Sequence, residues 1–316
     1  MYMKLKLRNK WETILSHPLV LKTQMLLRKV VLPGFDGVPI FDVLVFFVKG
    51  LIKGELSRRA SAFSYNFFMA LFPMVLFFFT IIAYLPIDDF VPLAYEMIES
   101  FLPQQSVDFV KETIDGILKK NGALLSFSII FTFYFATRGT NAMISELNAT
   151  YHEIETRGYL KQKLVALFML FVLILLFITT IAISLGVSQF IAYNATHGII
   201  QFTWYLVLIK FFKWVLIVAL MFFAISIIYY FAPAKREKYR FFSAGSSLAT
   251  ILIILASIGF DFYISNFSRY NAIYGSIGAL IILLIWIQLV SMILLIGFEL
   301  NVSILNARKK KIDAIN

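Results

Sequence analysis

Six stretches of this chain run without a single charged side chain: residues 60–87, 121–137, 164–209, 214–234, 241–260 and 270–298. Nothing constrains the fold more than these runs. A bilayer core of roughly 30 Å is crossed by about 20 apolar residues in helix. Five of the runs reach that length, and the third allows one span plus a polar outer connection around 189–203. The second run is short, so to cross it must continue past Arg138 toward Ile144. The pattern predicts an all-α fold: a polytopic membrane helical bundle of about six transmembrane helices.

Composition agrees with lipid as the solvent. Of 316 residues, 60% are hydrophobic and 15% charged, against about 25% charged in an average soluble domain. The 34 Phe suit helices that face acyl chains. Cys is absent, which excludes disulfides, thiolate metal sites and cysteine nucleophiles.

The net charge of +11 is explained by threading. Lys and Arg concentrate in residues 1–59, at Arg138, Arg157, Lys161 and Lys163, at Lys235, Arg236, Lys238 and Arg240, and in the tail 308–311. Cytoplasmic segments carry this excess, so both termini are expected inside and no nucleic-acid partner is needed. The first outer loop carries Asp88, Asp89, Glu96, Glu99, Asp108, Glu112 and Asp115. Apolar residues at helical spacing within 86–122 predict an outer amphipathic helical hairpin, either a gate or docking element or a packed lid. Residues 38–51 form an amphipathic stretch, either in the interface plane or packed on the bundle. The expected parts are a basic cytoplasmic extension (1–56), a six-helix membrane domain (57–307) and a basic cytoplasmic tail (308–316).

Enzymatic chemistry has no visible carrier. His17, His152 and His197 are far apart and form no metal-ligand spacing. A Gly-rich phosphate loop and a nucleophile elbow are both missing, so no catalytic residue, metal or cofactor is expected. Polar residues at membrane depth are costly and therefore informative. Arg138 and Glu299 are expected at similar depth near the inner edge. Glu299, read as close to a helix C-terminus, should seek a cation, with Arg138, Arg58 and Arg59 as candidates. Such a cluster could act on a ligand or simply be hydrated structure. Asn66 and Gln288 are expected to hydrogen-bond a neighbouring helix, and Pro73 to kink the first span. Ser57/Ser61, Ala60/Ser64, Gly245/Ala249 and Gly275/Ala279 mark close helix contacts.

Three segments carry a family resemblance: residues 59–73 (RASAFSYNFFMALFP), residues 137–151 (TRGTNAMISELNATY), and residues 274–279 (YGSIGA) running through Trp286 to 297–301 (GFELN). Together they resemble the YihY/BrkB family of bacterial inner-membrane proteins over roughly residues 51–305. Phe298 stands where the family often has Ala. The resemblance implies six helices and an envelope-associated role in the cell inner membrane. Carried over by motif, it marks Arg59, Arg138, Asn148, Glu299 and Asn301 as candidate functional residues, with Asn66 and Gln288 secondary. The label ribonuclease BN, also attached to the family, does not suit motif residues at membrane depth. The leading expectation is transport or lipid and lipopolysaccharide handling, with membrane lipids, anionic ones among them, as partners. The alternative is a non-transporting scaffold that docks an envelope protein through the outer hairpin, and the chain could also form oligomers.

Overall fold

The structure is a computed structural model that describes residues 26–82, 122–149, 157–197, 203–234, 240–265 and 276–313. Every regular element among them is an α-helix: α1 (Ile40–Lys53), α2 (Leu56–Ile82), α3 (Gly122–Asn148), α4 (Tyr159–His197), α5 (Thr203–Phe231), α6 (Ala244–Ser265) and α7 (Ser276–Asp313). The expected hairpin at 86–122 lies outside the described residues apart from Gly122, which opens α3.

Helices α2 to α7 pack in chain order, and α7 returns to α2, so six helices close a ring. The largest buried apolar cluster shows how they thread. It takes Ala60 and Phe63 from the start of α2 and Met143, Ile144 and Leu147 from the end of α3. Ala166 and Met169 come from the start of α4, Ile225, Ile228 and Tyr229 from the end of α5, and Ala249 from the start of α6. Ile293, Leu294, Leu295, Phe298 and Val302 of α7 complete it, together with Ala232 just past α5. Starts and ends alternate because the helices run up and down, and the cluster lies at one end of the ring.

Among the described residues four helices are long and apolar enough to cross a membrane: α4, α5, α6 and α7, over Tyr159–Asn194, Trp204–Phe231, Ala244–Ile264 and Leu280–Asp313. Helices α2 and α3 have 27 residues each, about 40 Å of helix, and carry more polar side chains. Phe171, Ile178, Leu185, Phe211, Phe212 and Trp214 are exposed on α4 and α5. Such a surface is stable against acyl chains and costly against water.

Two boundaries differ from the sequence reading. The polar connection expected around 189–203 is mostly helix, because α4 continues to His197. Ser188 Oγ and Asn194 Nδ2 donate to the carbonyls of Ser184 and Phe190 on their own helix. Polar side chains that bond back to the backbone in this way need no loop. At the other end of the chain, α7 does not stop near Glu299 but runs on to Asp313, 38 residues in all. Glu299 is therefore mid-helix, and the macrodipole argument does not apply to it.

Helix α1 packs along this extension. Phe35, Val38 and Val43 form a second core with Leu300, Ile304 and Ala307. Asp36 meets Arg308 at 3.5 Å, and Lys311 Nζ donates to the carbonyl of Gly37 at 3.0 Å. The far end of α1 reaches Glu299, since a Cβ on Gly50 would collide with that carboxylate. The two helices thus run antiparallel. Of the two placements expected for residues 38–51, the structure shows the one packed on the bundle.

Candidate functional site

At the end of the ring that holds the largest core, the last carbonyls of each helix, and the first N–H groups of the next, have no partner within their own helix. The polar motif residues meet this need. Arg59, in the first turn of α2, is 1% exposed. It donates from Nε and Nη2 to the carbonyl of Glu146 at 3.1 and 2.6 Å, and from Nη1 to the carbonyl of Gly54 at 3.3 Å. Glu146 lies in the last turn of α3, where a cation also meets the negative end of the helix dipole.

Asn148, the last residue of α3, ties down the chain leaving α5. Its Nδ2 donates to the carbonyl of Ala232 at 2.9 Å, and its Oδ1 accepts from the N–H of Ala234 at 2.9 Å. Arg157 donates to the carbonyls of Phe231 and Pro233. Asn301 Oδ1 accepts from the N–H of Gly245 at 2.8 Å, and its Nδ2 donates to Ser243 Oγ at 2.9 Å, which fixes the start of α6. Arg59, Asn148 and Asn301 each join one helix end to another element.

Glu299 has a different setting. Its side chain is fully buried, with Arg59 Nη1 3.7 Å from Oε2. A Cβ on Gly50 would lie 2.7 Å from its Cδ and 2.8 Å from its Cγ, so only glycine lets α1 cover the carboxylate. The turn that links α1 to Arg59 is equally particular. Gly54 N–H bonds the carbonyl of Gly50, and Glu55 takes φ +48°, a left-handed conformation uncommon outside glycine. Phe298 is buried beside Tyr229 in an edge-to-face contact at 5.5 Å, and Tyr229 donates to the carbonyl of Leu294 at 2.6 Å.

Of the three cations expected to meet Glu299, Arg59 does so. Arg58 is exposed and pairs with Glu55 at 2.5 Å. Arg138 is exposed on α3 and lies about 12 Å along the helix from Glu146. The expected match in depth between Arg138 and Glu299 is thereby corrected. Gln288 reaches a neighbouring helix, donating to Ser61 Oγ at 3.2 Å and accepting from Ser64 Oγ. Asn66, expected to do the same, donates to the carbonyl of Ala62 on its own helix at 2.8 Å. The carbonyl of Pro73 accepts from Thr132 of α3 at 2.7 Å.

Sequence reading missed two residues of this site. Gly50 and Gly54 repeat the four-residue small spacing that was recognised elsewhere, and that signal would have found Gly50. Arg157 was counted only as topology, and nothing local distinguishes it from its neighbours. Among the described residues no group of three His, Cys, Asp or Glu side chains could hold a metal.

Comparison with known proteins places this geometry. The family model described as Virulence factor BrkB matches residues 47–315. The chain belongs to the BrkB family. The match takes in every site residue from Gly50 to Asn301. The Asp36 turn and the first half of α1 fall outside it. Bacillus subtilis (strain 168) has a relative named as a ribonuclease-like protein, YfkH, 32% identical over 263 residues, covering 82% of this chain and 93% of that one. A UPF0761 membrane protein of Haemophilus influenzae (strain 86-028NP) is 28% identical over 267 residues, covering 81% and 92%. Another, from Aggregatibacter aphrophilus (strain NJ8700), is 26% identical over 261 residues, covering 82% and 90%. No solved structure matches the chain. It is a membrane protein of the BrkB family built from apolar helices.

Proposed function

We propose that this BrkB-family chain is a non-enzymatic inner-membrane protein that transports or handles lipids, with Arg59–Glu299 as its movable polar contact. In this reading α2 to α7 cross the membrane six times, and both termini are cytoplasmic. The alternation of helix ends around one core supports the even count, and the Lys and Arg at that end support the orientation.

The observation that carries the reading is the complete burial of Glu299 against Arg59. Buried ion pairs add little net stability, because desolvation offsets their attraction. Within membranes, ionisable groups mark functional sites more often than packing. The other motif side chains at this end are committed to helix-end backbone groups, whereas Glu299 adds a charge that the packing alone does not require. An anionic or zwitterionic headgroup would compete with Glu299 for Arg59, and exposed Arg138 offers a second cation on α3.

The test measures movement of fluorescent phosphatidylglycerol and phosphatidylcholine across vesicles holding the full chain. Glu299→Gln leaves a buried arginine without its countercharge and should lower stability by about 3–5 kcal/mol. The double variant Arg59→Gln/Glu299→Gln removes both charges and should recover most of that loss. Movement is expected to stay low in both. Wild-type movement in a folded double variant would reduce the pair to structure. Cleavage of RNA by the purified chain, lost in Glu299→Gln, would overturn the non-enzymatic part.

A further inference from the structure

Helix α1 presents two different faces. The inner one carries Val43, Phe47 and Gly50 against α7, with Val43 and Gly50 buried. The outer one carries Leu44, Val48 and Ile52, one helical turn apart, at 39%, 48% and 77% exposure. Residues four apart lie one above the other on a helix, so these three form a continuous apolar ridge. The adjacent row is Val45, Lys49 and Lys53, all exposed.

The axial position of the ridge follows from α7. Glu299 lies about 34 Å along the helix from Ser276, where α7 begins, which is slightly more than one hydrocarbon thickness. Gly50 abuts Glu299, and Asp36 and Gly37 meet Arg308 and Lys311 near the far end of α7. Because α1 runs antiparallel to α7, Ile52 sits at the membrane edge. Val48 and Leu44 follow at steps of about 6 Å away from it.

We infer that the ridge on α1 is an upright contact for the anionic lipid leaflet at this end of the bundle: Ile52 and Val48 enter the acyl–headgroup boundary, and Lys49 and Lys53 meet lipid phosphates. Charge complementarity selects this occupant, since a basic row beside an apolar row suits an anionic headgroup layer. Lysines there extend along apolar surface while their ammonium groups stay in water. A helix lying flat would place all three ridge residues at one depth, whereas an upright one grades them. The inference needs no transport activity and stands or falls apart from it.

The chain has no cysteine, so single cysteines at Leu44, Val48 and Ile52 can each carry an environment-sensitive fluorophore. The labelled full chain is reconstituted in phosphatidylcholine vesicles with and without phosphatidylglycerol. Brominated acyl chains should quench most strongly at Ile52→Cys, less at Val48→Cys and least at Leu44→Cys. Ile178→Cys on exposed α4 and Lys310→Cys in the tail serve as lipid and water references. Phosphatidylglycerol should strengthen quenching at Ile52→Cys, and Lys49→Gln/Lys53→Gln should abolish that increment. Equal quenching at all three sites would overturn the upright geometry. Quenching by aqueous iodide alone would remove the lipid contact. Energy transfer between differently labelled copies through these positions would show that a second chain, not lipid, covers the ridge.

Discussion

Replacing Gly245 by Ala adds one methyl group where α6 and α7 cross, and the structure fixes what it meets. The new Cβ would press on the carbonyl oxygen of Gly297 and lie 2.6 Å from Asn301 Cγ, while ordinary contact begins at 3.4 Å. The obstacle includes backbone on a facing helix, so it cannot swing aside as a flexible side chain would. The helices must part by about 1 Å, which is the scale on which packing contacts forfeit a quarter to a half of their attraction. The same shift stretches the two Asn301 bonds, 2.8 Å to Gly245 and 2.9 Å to Ser243, past useful length. At about 1 kcal/mol per bond plus the lost contacts, the cost is roughly 2–4 kcal/mol. Gly259 is the internal reference, because it lies on the same helix and a Cβ there meets nothing within 4 Å. Gly259→Ala should stabilise by about 0.5–1 kcal/mol through helix propensity. The assay is thermal unfolding of the full chain in lipid nanodiscs, where about 2 °C per kcal/mol is expected for a chain of this size. A fall for Gly245→Ala and a small rise for Gly259→Ala is the expected outcome. Equal shifts would mean that α6 and α7 do not cross at Gly245 and Gly297.

Three further perturbations read other contacts of the bundle. Asn148→Ala loses the bonds to Ala232 and Ala234; it should cost about 2 kcal/mol and accelerate amide exchange at Ala234, seen by hydrogen-exchange mass spectrometry. Gln288→Leu and Ser64→Ala remove the same α2–α7 bond, so a double-mutant cycle should give a coupling of about 0.6 kcal/mol, and strict additivity would deny the contact. Asp36→Asn takes the carboxylate from Arg240 at 2.8 Å and Arg308 at 3.5 Å, both exposed. The loss should be no more than about 1 kcal/mol at low salt and shrink at high salt, measured as the unfolding temperature in each.

The fold was more legible in the sequence than the site was. Uncharged runs mark helices because a charge inside the hydrocarbon is expensive, so α2, α3 and α6 lie close to the runs that predicted them, while α7 begins within its run and continues past it. Legibility fails where polar side chains bond locally. Ser188 and Asn194 look like loop residues but bond back to their own helix, and Lys213, which bounds a run, donates to Ser188 across α4–α5 at 3.2 Å. Within the site, Arg59 and Arg138 are alike on paper. One is buried and the other exposed because Gly54 and Glu55 turn α1 back onto α7, and a turn of that kind leaves no periodic trace. Gly50 gains its meaning from Glu299, far away in sequence, and spacing within one helix cannot report such a pairing.

The described part of the ring is held unevenly, and this bears on how the molecule can move. At the end that holds the largest core, buried side chains from six helices interlock, and Arg59, Asn148, Arg157 and Asn301 bind helix ends to one another. Along α4 and α6 only 11% of the most apolar window is buried, against 33% for α7. Contacts with lipid are exchangeable, since acyl chains solvate an apolar face as well as a neighbouring helix does. Displacing the lipid-facing lengths of α4, and of α6 beyond Ala249, therefore costs less than opening the interlocked end. In the proposed reading the exception at that end is Arg59–Glu299, which a competing phosphate would separate while Arg59 keeps its bonds to Glu146 and Gly54. On the proposed reading, an exchangeable ionic contact inside this interlocked end is where a ligand would bias the bundle with little disruption of packing.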